Sequence, residues 1–187
     1  MKRKAAVMGV LAFLIICLES TILHSIEIYG IIPNLSLCMT VSCSLLFGSV
    51  FGRRLGLVIG LIQDVLFLDV LGFFTLLYFL LGQTAGLFKN GFDQDSLLLS
   101  LGITALFDFC FSFICYLFFH FFQGRVDLGY YMIHTILPEV CYTLIGSIPV
   151  YFLVRRLGIW LDRLTERRRH LDSESVFPID VRSEKIN

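Results

Sequence analysis

The chain has 187 residues, of which 57% are hydrophobic and only 16% charged, with a mean hydropathy of +0.82. Soluble domains carry about 45–50% apolar and about 25% charged residues, so a soluble domain, a disordered chain, a secreted disulfide scaffold and a nucleic-acid binder all fit badly. The 15 Lys+Arg cancel the 15 Asp+Glu, so only the placement of charge is informative, and the simplest class is one all-α, polytopic membrane domain.

A helix needs about 20 residues to cross a hydrocarbon core of about 30 Å. Apolar runs and their breaks predict six such segments, at 5–23, 35–51, 55–70, 73–88, 97–122 and 135–154. The first follows Lys2-Arg3-Lys4 and imitates a signal peptide. Glu19 interrupts it and no small-x-small cleavage site follows, so it reads as a span. Gly30 and Pro33-Asn34 form the turn before the second segment, and Arg53-Arg54, which must reach water, are expected to turn the chain before the third. Gly72 ends the third run; the third and fourth are short enough to be thin, tilted or partly re-entrant. In the fifth, Phe107, Phe109, Phe111 and Phe113 alternate with Asp108, Cys110 and Ser112 as in a strand. The run is too long for one strand and the pattern is not repeated as a membrane barrel requires, so helix is expected.

Placing the N-terminus inside puts 14 of the 15 basic residues in the cytoplasm and leaves only Arg125 outside. Six spans with both termini cytoplasmic, in the cell membrane, is the arrangement that satisfies this. The six-helix domain is expected to occupy 1–157. Residues 158–187 form a basic amphipathic segment and a disordered tail, with Trp160 and Arg167-Arg168-Arg169 positioned to meet anionic lipid or simply to fix orientation.

The six cysteines lie in apolar runs without C-x-x-C pairs or histidines at metal-ligand spacing, which is the pattern of buried small hydrophobes. Neither a metal nor any other cofactor is expected. Five carboxyls fall within or at the edge of spans: Glu19, Asp64, Asp69, Asp108 and Glu139. An ionised Asp at a helix centre costs about 2.5–3.5 kcal/mol on the insertion scale. Asp64 and Asp108, read as the deepest, therefore either hold a proton or face a hydrated interior. They line a cavity, a proton path or a partner's docking groove, or they serve, with Gln63 and Gln83, as hydrogen-bonding glue between helices.

Gly48, Gly52, Gly56 and Gly60 recur every fourth residue and lead to Asp64. That spacing keeps small residues on one helical face and lets another backbone approach closely. Because the series crosses Arg53-Arg54, it is expected to lie on two helices that meet at a turn, with Gly82 and Gly86 offering a matching face on the fourth span. Enzyme signatures are missing: there is no G-x-S elbow, no H-E-x-x-H and no G-K-[ST] phosphate loop.

Taken in order, Pro33-Asn34-Leu35, Gly48/Gly52/Gly56, Gly60-Leu61-x-x-Asp64, Leu71-Gly72 and Gly82-x-x-x-Gly86 resemble the rod shape-determining protein MreD family, most clearly from Pro33 to Lys89. The resemblance implies a non-catalytic component of the bacterial cell-elongation complex, acting in peptidoglycan synthesis and cell shape beside an MreC-like protein, MreB filaments and peptidoglycan synthases. It also implies a helical arrangement similar to the substrate-binding subunits of energy-coupling-factor vitamin transporters. Gly48, Gly52, Gly56, Gly60, Asp64, Gly72, Gly82 and Gly86 would then form packing or partner-binding faces. Arg53, Arg54, Arg167, Arg168 and Arg169 would face cytoplasmic partners, with no nucleic acid or small-molecule substrate expected. Two other functions compete with the scaffold: a substrate-capture subunit of a vitamin-type transporter, and a proton-coupled transporter using Asp64 and Asp108. The first lacks the Ala-rich coupling face, since the first span offers only Ala5, Gly9 and Ala12. The second lacks the internal repeat common in such transporters.

Overall fold

A computed structural model describes residues 2–21, 32–67, 71–90, 97–121 and 128–176, and all of these outside 32–34, Gly48 and Leu71-Gly72 are helical. In chain order the helices are α1 (Lys2–Thr21), α2 (Leu35–Phe47), α3 (Ser49–Phe67), α4 (Phe73–Ala85), α5 (Leu97–Tyr116), α6 (Leu128–Tyr131) and α7 (Leu137–Val176). A 3₁₀ turn, Gly86–Asn90, extends α4, and π turns follow α5 and precede α7. The aromatic run of the fifth segment is helical, as its length required.

Pro33-Asn34 starts α2 by a local mechanism: the Asn34 side chain accepts a hydrogen bond from the Leu37 N–H at 3.0 Å, one of the orphan donors of a first turn. The chain does not turn at Arg53-Arg54. It turns at Gly48, whose φ of +95° suits glycine alone, and α3 then runs unbroken through both arginines. The physical reason is that arginine has a long apolar stem and carries its charge away from the backbone, so an Arg pair near a helix end needs no break. As a consequence Gly52, Gly56 and Gly60 lie on one helix, and Gly48 is the joint.

Met1–Val154 and Arg155–Asn187 form two compact units. In the first, α2 is central: all ten residues from Leu35 to Ser44 are buried, among them Ser36, Thr40, Ser42 and Ser44. Their hydroxyls are absorbed locally, Thr40 donating to the Ser36 carbonyl at 2.9 Å and Ser44 to the Thr40 carbonyl at 2.6 Å. Large apolar side chains point outward instead, including Phe13, Leu57, Leu61, Leu76, Leu80, Leu106 and Phe152. Small polar residues inside and bulky apolar ones outside invert the soluble pattern and suit a lipid surround, where packing of small residues holds helices together.

By length and composition, two helical stretches can cross a membrane, Leu97–Phe119 and Met132–Leu161; Ala6–Thr21, Leu35–Phe47 and Phe73–Lys89 are apolar but shorter. In the second unit α7 continues to Val176, so residues 171–176, whose polar composition places them in the expected disordered tail, are helical. Residues 177–187 lie outside the described residues.

Candidate functional site

The densest packing in the first unit is the antiparallel hairpin of α3 on α4. Its register can be read from what a β-carbon would strike at each glycine. On Gly52 it would lie 2.7 Å from the Gly82 carbonyl oxygen, on Gly56 2.8 Å from the Tyr78 carbonyl carbon, and on Gly60 2.6 Å from both the Phe74 carbonyl oxygen and Thr75 Cα. From the other side, a β-carbon on Gly82 would meet the Gly52 carbonyl carbon at 2.5 Å, and one on Gly86 the Ser49 Cβ at 2.8 Å. These neighbours are mostly backbone, so they cannot swing aside, and the spacing of four is the condition for two helices to touch main chain to main chain.

Two of the expected packing glycines do something else. Gly48 is the α2–α3 joint, with the Lys89 stem lying over it. Gly72, with φ of +112°, forms the α3–α4 turn and has open space around its Cα among the described residues.

Asp64 closes the far end of the hairpin. It sits one turn before the end of α3, so it lies at the hairpin's turn rather than deep along a span. Gly72, the residue before α4, has no side chain with which to cap the helix. Asp64 does so from across the turn: it accepts from Gly72 N at 2.9 Å, Phe74 N at 2.8 Å, Thr75 N at 3.0 Å and the Thr75 hydroxyl at 2.5 Å. A carboxyl at a helix N-terminus also meets the positive end of the helix dipole. Neither a proton held on the carboxyl nor a hydrated cavity is required to explain its burial. Of the two glutamines, Gln83 ties the opposite end, accepting from the Arg53 guanidinium at 3.5 Å.

Asn34 is a hub that residue-type reasoning treated only as a turn. Besides capping α2 it accepts from the Tyr78 hydroxyl at 2.9 Å, and its backbone N–H donates to the Thr143 hydroxyl at 3.2 Å, joining α2, α4 and α7. Cys38 donates to the Thr143 carbonyl at 3.6 Å beside it. The signal available was an Asn immediately before an apolar run, which is a helix-start mark; nothing in the sequence named Tyr78 or Thr143 as its partners.

Next to this hub a cavity of about 360 Å³ opens between α1, the Asn34 cap ahead of α2, α3, α4, α5 and α7, its polar wall made by Glu19, Ser20, Asn34, Gln63 and Glu139. Glu19 accepts a short hydrogen bond from the Ser36 hydroxyl. Asp108 is fully buried on α5, and neither of its oxygens, nor the Ser112 hydroxyl one turn on, has a hydrogen-bond partner among the described residues. Thr143 neighbours Asp108, and Ser112 neighbours Glu139, without hydrogen-bonding geometry between them. No three His, Cys, Asp or Glu side chains among the described residues gather as a metal site. Arg53 is half-buried and Arg54 exposed in the first turns of α3, and Arg167, Arg168 and Arg169 lie in the backbone of α7.

No curated protein and no solved structure matches this chain. The family model of the rod shape-determining protein MreD matches residues 2–158, which takes in the hairpin, the Asn34 hub and the cavity. With most of its length matched, the chain belongs to the rod shape-determining protein MreD family.

Proposed function

We propose that this chain, whose family membership implies a role in rod shape determination, acts as a non-catalytic scaffold crossing the cell membrane six times with both termini in the cytoplasm. It binds an MreC-like protein and, through it or directly, MreB filaments and peptidoglycan synthases. The observation that carries this reading is the α3–α4 hairpin. Its glycine faces are filled by its own backbone, so they build a rigid post, and the surfaces left for partners are the outward apolar rows: Leu57 and Leu61 on α3, and Leu76 and Leu80 on α4.

Charge placement supports the orientation. Arg53, Arg54 and Lys89 share one end of the hairpin, the end expected to face the cytoplasm, while Asp64 marks the other. The basic stretch of α7 gives cytoplasmic partners or anionic lipid a second contact.

Three measurements test the reading. A photocrosslinking side chain at Leu57 or Leu80 in native membranes is expected to capture an MreC-like protein, and the chain should restore rod shape to cells depleted of their own family member. A reporter fused to the carboxyl end should be active only in the cytoplasm. Exported reporter activity, or rescue by a variant with charged residues at both Leu57 and Leu80, would overturn it. The cavity favours a second reading, a substrate-capture subunit of a vitamin-type transporter with the arrangement known from energy-coupling-factor systems; tight binding of a vitamin to the purified chain distinguishes it.

A further inference from the structure

The cavity beside Asn34 gathers carboxyls, and no Lys or Arg among the described residues lines it. Glu19 and Glu139 line it, and Asp108 lies within electrostatic range of both. Asp108 also shares a helix face with Phe111, three residues on, which lines the cavity. Carboxyls inside a membrane domain are rare, face the bundle interior or a water-filled cavity, and mark a functional site by default. Among the described residues no Lys or Arg stands at this end of the hairpin: Arg53 is ten residues before Gln63 on α3, about 15 Å away along a helix. Among the described residues the buried Asp108 oxygens and the Ser112 hydroxyl have no hydrogen-bond partner.

The rest of the wall says what kind of donor fits. Phe67, Phe74 and Phe111 line the same cavity as the two glutamates. Aromatic faces attract a cation, more strongly when it is desolvated, and they cover an apolar stem. Asn34 and Gln63 add neutral hydrogen-bonding groups. A volume of about 360 Å³ is at the small end of ligand pockets, which run from about 300 to about 1,000 Å³.

We propose that the cavity is a binding site for an organic monocation, an ammonium or guanidinium group on a short apolar stem, held between Glu19 and Glu139 against the phenylalanines. The cation arrives as a small amine or as a basic side chain of a membrane partner; the recognition chemistry is the same. The inference stands apart from the scaffold reading and departs from the expectation that no small molecule binds.

The test uses the full chain in lipid nanodiscs with 2-phenylethylammonium as probe and the neutral, near-isosteric 2-phenylethanol as its control. The ammonium is expected to raise the melting temperature saturably and the alcohol to leave it unchanged. Glu139→Gln, with an unaltered melting temperature in the absence of probe, should bind the ammonium at least 10-fold more weakly, and Glu19→Gln likewise. Equal shifts from amine and alcohol, no shift from the amine, or unchanged affinity in a folded Glu139→Gln variant would overturn the proposal. A photocrosslinker at Phe67 in native membranes then separates the sources. A protein adduct that the ammonium competes away assigns a partner's side chain; amine binding without any such adduct assigns a diffusible ligand.

Discussion

The α3–α4 hairpin and the wall of the cavity use the same materials, small residues and carboxyls, and treat them in opposite ways. In the hairpin the carboxyl and the glycines are satisfied from within: Asp64 receives four hydrogen bonds, and the glycines of α3 and α4 are filled by the facing backbone. Across the cavity, Asp108 and Ser112 are buried with no partner among the described residues, and two glutamates face open volume. A membrane bundle gains little from the hydrophobic effect between helices, so its rigidity must come from close packing and completed hydrogen bonds. The hairpin has both. The cavity has given up part of each, and a buried group left unsatisfied calls for an explanation.

The strongest way to break that contrast is to separate the two backbones of the hairpin. Gly56→Ala or Gly60→Ala introduces a β-carbon that backbone atoms cannot yield to, and each should lower unfolding stability in detergent by about 3 kcal/mol, the upper part of the overpacking range. Gly102→Ala on α5, where a β-carbon meets nothing within 4 Å, is the control; it should be neutral or stabilise by up to about 1 kcal/mol. Equal losses at Gly56 and Gly102 would mean that the hairpin is not the rigid part. Next in size is Asp64→Leu, which strands the first donors of α4 and should cost about 2–3 kcal/mol and abolish rod-shape complementation. Asp64→Asn retains an acceptor oxygen and should keep most of both; identical behaviour of the two variants would remove the capping role.

These two regions were not equally legible in the sequence. The four-residue glycine spacing, the Leu71-Gly72 turn and an acid close to it are local patterns, and a helical face can be drawn from them directly. What could not be drawn was where the series starts. An arginine pair looks like a boundary on hydropathy alone, yet the backbone breaks at Gly48 because the left-handed conformation is available there and arginine stems tolerate a helix. The cavity was legible only as a set of unexplained carboxyls. Glu19, Asp108 and Glu139 stand 89 and 31 residues apart in sequence, and which of them share a space is decided by helix packing that no short pattern encodes. Asp64 and Asp108 read alike in the sequence, and only the structure separates a carboxyl with four donors from one with none among the described residues.

Asn34 lies on the seam between the two regions, so its loss should be intermediate. Asn34→Ala removes the α2 cap and the acceptor of the Tyr78 hydroxyl, for about 1–2 kcal/mol by thermal or denaturant unfolding. Asn34→Asp keeps both acceptor roles and should recover most of that loss.

The smallest stability effect is expected at the residue that looks most anomalous. Removing a hydrogen-bonding group ordinarily costs the bond and the stranding of its partner. Asp108 has no bond to lose among the described residues, and replacement by an apolar group of similar shape relieves an unmet demand instead of creating one. Asp108→Leu should therefore change stability by no more than about 1 kcal/mol, in either direction, while Asp64→Leu in the same assay is clearly destabilised. The same Asp108→Leu variant should bind 2-phenylethylammonium more weakly than the parent, because the site loses negative charge near Glu19 and Glu139. A variant that is neutral for folding but impaired for the amine assigns the unpaired carboxyl to the cavity's ligand. A variant as unstable as Asp64→Leu would show instead that Asp108 is a structural member of the core, and the contrast between the two regions would fall with it.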